Sequence, residues 1–315
     1  MRATIGPTGC SQWRVALRHA DAGPASRFPV PRVHAARNGL LLALALAVQW
    51  LTAPAGAAPA TDELAQRMAA AASAGQPFPD VADELPIAEA YALQRRVVAL
   101  QRADGASVAG FKAGLTDEST WPRFGATAPV VGVLFEAGKL RGGAAVERDA
   151  DDAPMIELEI GYLVHETIAT VPSDEELTTR LIGEVAVVEL PNLAYAGTPR
   201  AADIVGSNVA SARFIVGRMR PMDRIGRLDS VAVRLERDEV VVAEGNGAAA
   251  LGGQAKALRW MIGELLRHGY TIEAGNLLIT GALAGMQPAQ PGRYRAHFGM
   301  LGSIDFTVRA ARPLP

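Results

Sequence analysis

The stretch "PMIELEIGYLV", residues 154–164, is an apolar run typical of a buried β-strand, but it contains Glu157 and Glu159. Side chains two positions apart in a strand project from the same face. At the rise of a strand, the two carboxylates lie roughly 7 Å apart along the chain. The stretch therefore predicts a strand whose two acids flank a common space.

The chain around this strand alternates between two kinds of periodicity. Short β-type segments, separated by glycine, proline and aspartate, continue from Val108 to near the end of the chain. Helical periodicity marks four segments, which are residues 60–75, 86–105, 173–184 and 252–269. We therefore expect an α+β fold with a helical N-terminal segment, residues 58–106, and one β-rich catalytic domain, residues 107–315.

One glycine-rich segment, "GNGAAA" at residues 245–250, fits the dinucleotide-binding fingerprint G-x-G-x-x-A. The strand before it is expected to pair with residues 231–236 through a turn at Arg237 and Asp238. Such a hairpin is antiparallel, whereas a Rossmann unit requires parallel strands. The chain also has no G-x-S-x-G motif of a serine hydrolase. Neither a dinucleotide cofactor nor a nucleophilic serine is therefore expected.

Residues 1–57 have the organisation of a secretory signal peptide with an upstream extension. Arg37 precedes a short apolar block, Leu40–Val48, and Pro54 is followed by the small residues Ala55, Gly56 and Ala57. The block is too short for a good membrane span. A buried N-terminal helix is the alternative, but Pro54 would end it abruptly. We expect cleavage near Ala57 and a periplasmic or secreted protein that has no membrane attachment afterwards.

Charge and cysteine content limit the possible partners and chemistry. The whole chain has 31 basic and 33 acidic residues. Without residues 1–57, 25 basic and 32 acidic residues remain, and the net charge is −7. An acidic chain without a basic run argues against a nucleic-acid partner. The single cysteine, Cys10, lies in the predicted leader, so neither disulfides nor a thiol nucleophile are expected.

The paired acids of residues 154–164 need a compensating cation if they are buried. Two desolvated carboxylates on one face are unfavourable unless positive charge offsets them. A divalent metal such as magnesium prefers oxygen ligands, and Glu189 in "VAVVELPN", residues 185–192, offers a third carboxylate. The alternative is an edge strand whose glutamates face solvent.

Eight segments in their order and spacing resemble the 2-keto-4-pentenoate hydratase family of the fumarylacetoacetate hydrolase superfamily. The resemblance covers the chain from about Ala88 to Val308. The segments are "AYALQRRV", "VAGFKAGLT", "FGATAPVVGVLF", "IELEIGYLV", "VAVVELPN", "GNGAAALGGQAKALRWMIGELLRHG", "LLITGAL" and "GMLGSIDFTV".

The resemblance implies a set of site residues. Glu157, Glu159 and Glu189 match the glutamates that bind Mg²⁺ or Mn²⁺ in this family, and Lys112 matches a catalytic lysine beside the substrate. Its proton transfer is expected to need a pKa lowered by burial and by the nearby cation. The substrate-binding positions implied by the resemblance are Asn208, Ser211, Thr280 and Gly281.

The resemblance also implies a fold, an assembly and a class of reaction. The fold is a mixed β-sandwich or roll with helices outside, and the assembly is a homo-oligomer. The implied reaction is that of a metal-dependent hydratase or lyase on a 2-oxo acid, through a metal-stabilised enolate. Two alternatives stay open: an acylpyruvate-type C–C hydrolase or 2-oxo acid decarboxylase on the same scaffold, and a non-catalytic periplasmic oxo-acid-binding protein.

Several positions depart from the pattern typical of the family. Val130 stands where an acid is common, Ser207 replaces an aspartate, Ala210 replaces a serine and Ala212 replaces a glycine. The continuation after Glu189, "LPNLAY", also differs from the usual one. The metal-binding glutamates are kept, while groups around them are changed. Together with the predicted export, these departures favour an oxo acid other than the usual pentadienoate.

Overall fold

The computed structural model describes residues 58–81, 85–148, 153–222 and 225–310, and the predicted leader lies outside them. Six α-helices are present in this part of the chain. They are α1 (Ala58–Ala74), α2 (Ile87–Ala103), α3 (Trp121–Phe124), α4 (Asp174–Arg180), α5 (Ala201–Gly206) and α6 (Gln254–Arg267). None of the described helices has the length and apolar character needed to cross a membrane.

The β-structure forms fourteen strands in the described residues. They are β1 (Val108–Gly114), β2 (Val130–Phe135), β3 (Lys139–Arg141), β4 (Ala145–Arg148), β5 (Met155–Val164), β6 (Leu181–Leu190), β7 (Arg213–Val216), β8 (Arg220–Pro221), β9 (Ala232–Arg237), β10 (Val240–Asn246), β11 (Leu277–Ile279), β12 (Gln287–Pro288), β13 (Gly292–His297) and β14 (Ser303–Ala310). The predicted α+β fold, with a helical segment before a β-rich part, is confirmed.

The larger sheet has nine strands and is mixed. Its main order is β2-β1-β11-β5-β6-β7-β3, with β12 pairing with β5 and β8 with β6. The two ten-residue strands β5 and β6 lie in its centre and pair antiparallel. Their apolar residues are almost entirely buried, as expected of strands that are covered on both faces.

The smaller sheet has five strands in the order β10-β9-β13-β14-β4. Strands β9 and β10 form the predicted antiparallel hairpin, and the turn between them contains Asp238 and Glu239, both with positive φ. The glycine-rich segment that follows therefore lacks the parallel strand–helix–strand order that dinucleotide binding requires.

The helices pack where their apolar stripes predict. In α2, Ala90, Leu93 and Val97 are buried, and α6 buries Leu258 and Met261 among others. These side chains belong to the same hydrophobic cluster as the central strands. The N-terminal helices and the β-rich part thus share one core.

The helix predicted over residues 173–184 is only partly present. Its start is as expected, because Ser173 and Glu176 form a reciprocal capping box. However, α4 ends at Arg180, and β6 begins at the next residue. Pairing of Leu181–Leu190 with β5 outweighs the local helical preference there.

Candidate metal and substrate site

The three predicted metal ligands meet on one face of the β5–β6 ladder. Glu157 on β5 lies directly opposite Glu189 on β6, and Glu159 follows two positions along β5 on the same face. One carboxylate oxygen from each glutamate lies within 4.8 Å of the corresponding oxygen of the other two. The register of two neighbouring strands therefore builds a cluster of three carboxylates.

The three carboxylates are wholly or partly buried, and some of their oxygen atoms accept no hydrogen bond. Glu159 and Glu189 have no exposed surface, and Glu157 is partly buried. Among the described residues, Glu159 Oε1 and Glu189 Oε2 have no hydrogen-bond partner, although both atoms are buried. Buried acceptors without partners are costly, so this arrangement suits a cation that binds oxygen.

Lys112 lies beside the cluster at the centre of β1. Its side chain is 2% exposed, and Nζ forms an ion pair with Glu189 Oε1. Nζ also donates a hydrogen bond of 3.1 Å to the backbone oxygen of Val209. The lysine is therefore held in a fixed position within the site. It is not a solvated lysine on the surface.

Burial and mutual repulsion change the acidity of these groups. Burial, followed by repulsion from Glu189, raises the pKa of Glu157 to about 7. The same two causes raise the pKa of Glu159 well above its ordinary value. Burial by itself lowers the pKa of Lys112, but attraction to the three glutamates raises it above its ordinary value. Burial thus acts in the expected direction on this pKa, but the three surrounding acids outweigh it.

A tight turn after β11 orients Glu159. The backbone N–H of Gly281 donates a 2.8 Å hydrogen bond to Glu159 Oε2, which leaves Oε1 directed elsewhere. Gly281 has a φ of +103°, and a Cβ at this position would lie 2.3 Å from Thr116 Oγ1. Only glycine fits here. Thr280 is fully buried and bonds to Ile160 and Gln254, whereas the Gly281 amide contacts the cluster itself through Glu159.

A second turn, residues 208–210, supplies the backbone oxygen that Lys112 contacts. Asn208, Val209 and Ala210 all have φ between 52° and 60°, a left-handed conformation that costs a non-glycine residue about 1–2 kcal/mol. The Asn208 amide is fixed by two bonds to the backbone of Val133, at 2.7 and 2.9 Å. Strain of this kind persists only where the surroundings enforce it, and here it directs the Val209 oxygen to Lys112.

The remaining sequence-predicted positions lie around this turn. Ser211 lines a different cavity, on the side of the N-terminal helices, and is separated from the glutamate cluster. Val130 is a core residue of β2 and carries no titratable group. The Ser207 hydroxyl lies 2.7 Å from the hydroxyl of Tyr195, and Ala210 is buried. The structure thus brings together the three glutamates and Lys112, but not Asn208 and Ser211.

A cavity of about 440 Å³ opens next to the cluster, with Lys112 and Glu157 in its wall. Apolar side chains form much of the rest, including Leu115, Phe124, Leu193, Ile204, Leu283 and Met286. The other charged residues of the wall are Asp117 and Glu244, both exposed. Among the described wall residues, Lys112 is the single cation. The site can therefore hold a small acid against the cluster, with an uncharged tail along the apolar wall.

Two residues near the site were not found by sequence reasoning. Val209 contributes a backbone oxygen, which carries no signal in the side-chain pattern. Gln254, at the start of α6, is completely buried behind the turn of Thr280. The signal available in the sequence for Gln254 was a polar residue on the face of the helix that carries the buried apolar side chains.

Comparison with known proteins gives several similarities. The chain is 29% identical to a 2-keto-4-pentenoate hydratase of Burkholderia vietnamiensis over 250 residues, which are 78% of this chain and 95% of that protein. It is 28% identical to a 4-oxalocrotonate decarboxylase of Pseudomonas sp. strain CF600, over 68% of this chain and 83% of that protein. The structure of 4-oxalocrotonate decarboxylase from Pseudomonas putida G7, complexed with magnesium and adipate, matches with a TM-score of 0.73 and 25% identity, over 80% of this chain and 98% of that chain. No family model matches the chain.

Proposed function

We propose that this chain, a homologue of the 2-keto-4-pentenoate hydratases, is a metal-dependent hydro-lyase acting on a 2-oxo acid. Glu157, Glu159 and Glu189 bind Mg²⁺ or Mn²⁺ in this proposal. When bound, the cation supplies a Lewis acid for the oxygen of the 2-oxo group.

The observation that carries the proposal is the charge and geometry of the buried cluster. With all groups ionised, three glutamates and Lys112 leave two negative charges, which one divalent cation neutralises. Two buried carboxylate oxygens without partners lie in the same cluster. An all-oxygen ligand set favours Mg²⁺ or Mn²⁺ over zinc or copper.

Lys112 supplies the protein's own proton chemistry. An ordinary lysine is charged at neutral pH, and the ion pair with Glu189 favours the ammonium form of Lys112. The Lys112 side chain lines the cavity, so it donates a proton to a bound substrate or stabilises negative charge on it. In a hydratase reaction, the 2-hydroxydienoate first becomes a 2-oxo-3-enoate, as the enol hydroxyl loses its proton and C5 gains one. Water then adds across the C3–C4 double bond, with hydroxyl at C4 and a proton at C3, which gives the 4-hydroxy-2-oxo acid.

The wall of the cavity favours a monocarboxylic substrate. The carboxylate and oxo group of the acid lie at the cluster, and the far end lies along Leu193, Ile204 and Met286. A second carboxylate at that end would meet an apolar wall or the acids Asp117 and Glu244, and both are unfavourable. We therefore favour an oxo acid with an uncharged tail.

Turnover of 2-hydroxypenta-2,4-dienoate by the purified protein tests the proposal. Consumption of the dienol, with formation of a 4-hydroxy-2-oxo acid, is expected with Mg²⁺ or Mn²⁺ and is lost with a chelator. Glu157→Gln abolishes turnover, whereas Glu166→Gln, at an exposed glutamate near the end of β5, leaves it unchanged. Binding of metal and oxo acid without any turnover of 2-oxo acids would contradict an enzyme and support a binding protein.

Decarboxylation is the second candidate reaction. It is favoured by the similarity to 4-oxalocrotonate decarboxylase, which extends over 98% of that chain. A cation held by Glu157, Glu159 and Glu189 would stabilise an enolate whether it forms by loss of CO₂ or by proton transfer. Release of CO₂ from a 2-oxo acid without hydration of the dienol would identify the decarboxylase, and release of pyruvate from an acylpyruvate would identify a C–C hydrolase.

We also propose that the protein is exported and that it forms a homo-oligomer, the latter only because its segments resemble a family whose members are expected to be oligomers. The support for export is the signal-peptide pattern of residues 1–57. Cell fractionation and N-terminal sequencing of the mature protein test it, and an intact Met1 on cytoplasmic protein would contradict it. Light scattering of the purified protein measures the number of subunits.

A further inference from the structure

A buried glutamine lies behind the sheet that holds the glutamates. Gln254 is the first residue of α6 and has no exposed surface. Its Oε1 accepts hydrogen bonds from Tyr162 on β5 at 3.1 Å and from Thr280 at 2.9 Å. Its Nε2 donates to the backbone oxygen of Gly247 at 2.6 Å. All the polar atoms of this side chain are thus used.

The glutamine contacts the face of β5 opposite to the carboxylates. Tyr162 and Ile160 alternate with Glu159 along the strand, so they project away from the cluster. The Thr280 backbone N–H also donates to the Ile160 oxygen, at 3.2 Å. Gln254 therefore fixes the end of β11 against β5 from behind.

The end of β11 is directly connected to a proposed metal ligand. Thr280 precedes Gly281, whose N–H bonds to Glu159 Oε2 at 2.8 Å. The direction of this N–H is set by the peptide plane that the two residues share. A change in the position of Thr280 therefore changes the hydrogen bond that orients the Glu159 carboxylate.

We propose that Gln254 is a positioning residue for the metal site, acting across the sheet through Thr280 and the Gly281 amide on Glu159. The inference rests on the proposed metal-binding role of Glu159. It requires no contact between Gln254 and substrate or metal. Loss of an outer partner that orients a metal ligand typically weakens metal binding about 10- to 100-fold.

The test is Mn²⁺ affinity, measured by isothermal titration calorimetry on the full chain. Gln254→Met keeps the size of the side chain and removes its hydrogen bonds, and we expect Mn²⁺ to bind about 10- to 100-fold more weakly. Gln94→Met is the matched control. Gln94 is also fully buried and also makes three side-chain hydrogen bonds, to Val131, Val205 and Tyr270. We expect the control to lose thermal stability and keep its Mn²⁺ affinity.

A second pair of variants distinguishes an effect transmitted through Thr280 from a general loss of packing around Gln254. Thr280→Val removes the hydroxyl that bonds to Gln254 from the residue next to Gly281. Tyr162→Phe removes the other hydroxyl that donates to Gln254, on a residue that is not next to Gly281. We expect weaker Mn²⁺ binding in Thr280→Val and unchanged binding in Tyr162→Phe. This pair decides the question if Gln254→Met does not fold.

Three results would overturn the inference. They are wild-type affinity in folded Gln254→Met, equal weakening in Gln254→Met and Gln94→Met, and equal weakening in Thr280→Val and Tyr162→Phe. Failure of the wild-type protein to bind Mn²⁺ would remove the proposed metal site together with this inference. Normal Mn²⁺ binding by all variants would overturn the inference alone.

Discussion

Lys112 and Glu189 form an ion pair in the protein interior, where their side chains are 2% and 0% exposed. The pair joins β1 to β6, two strands that are not neighbours in the sheet. Removal of one partner from a buried pair leaves an uncompensated charge and typically costs about 3–5 kcal/mol. The stability of the protein and the charge of its proposed metal site are therefore linked through these two residues.

Replacement of Lys112 is expected to make folding depend on metal. Lys112→Met leaves three buried glutamates without a cation, so the free energy of unfolding in a chelator falls by about 3–5 kcal/mol. Mg²⁺ or Mn²⁺ should restore a larger part of this loss than it adds to the wild-type protein, because the cation replaces the missing positive charge. Urea unfolding with and without metal measures both effects. Equal stabilisation of variant and wild type by metal would contradict the prediction.

Without metal, stability is expected to decrease as the pH rises from about 4.5 to about 7. The pKa of Glu157 is raised from 4.5 to about 7 in the folded protein, so between these values the folded state binds more protons than the unfolded state. Each such group contributes a slope of up to about 1.4 kcal/mol per pH unit. The raised pKa of Glu159 acts in the same direction, and that of Lys112 affects only alkaline pH.

Saturating Mg²⁺ should reverse this slope, because metal binds the ionised carboxylates and competes with protons. Urea unfolding across the pH range, with chelator and with Mg²⁺, measures the two slopes. Glu157→Gln serves as the control and should show a smaller slope in chelator. A slope in chelator that Glu157→Gln leaves unaltered would assign the pH dependence to other groups.

Gly281→Ala is expected to damage both stability and metal binding. The added methyl group would lie 2.3 Å from Thr116 Oγ1, and φ is +103°. Gly275→Ala is the matched control, because Gly275 has a φ of +88° and open space around it. We expect the control to lose about 1–2 kcal/mol from backbone strain and Gly281→Ala to lose a further 1–3 kcal/mol or so from the clash. Only Gly281→Ala should bind Mn²⁺ more weakly. Equal Mn²⁺ affinity in the two variants would separate the Gly281 amide from metal binding.

The cavity predicts discrimination against dicarboxylic acids. In the presence of Mg²⁺, 2-oxopentanoate should bind at least about tenfold more tightly than 2-oxoadipate, a difference of about 1.4 kcal/mol. Leu193→Arg places a cation in the apolar wall and should reverse the preference. Pyruvate, which has no tail, is the control and should bind both proteins equally. Tight binding of 2-oxoadipate by the wild-type protein would contradict the proposal that the apolar wall contacts the tail of the substrate. If none of the three acids binds, the proposed function is contradicted.

The sequence was most informative where chemistry follows local periodicity. Alternation along β5 was sufficient to place Glu157 and Glu159 on one face, and the capping box was sufficient to place the start of α4. The pattern offered Glu189 as a third carboxylate, but its register opposite Glu157, which joins residues 32 positions apart, required the structure. Local pattern does not determine such a pairing.

Other features depend on contacts that no local pattern encodes. The pKa of Lys112 was expected to fall on burial, but its direction depends on three acids from two other strands. Asn208 was assigned to substrate, whereas its amide is engaged with the backbone of Val133. The helical pattern of residues 252–269 assigns no role to Gln254, because its contact with the turn of Thr280 exists only in the folded protein.

The internal ammonium group of Lys112 has a consequence for how this protein is assembled. Burial of three ionised carboxylates without any cation would oppose closure of the sheet. Because Lys112 carries a positive charge into the interior, we expect the chain to fold without metal and to bind the ion afterwards. Folding would then not depend on the supply of metal during synthesis.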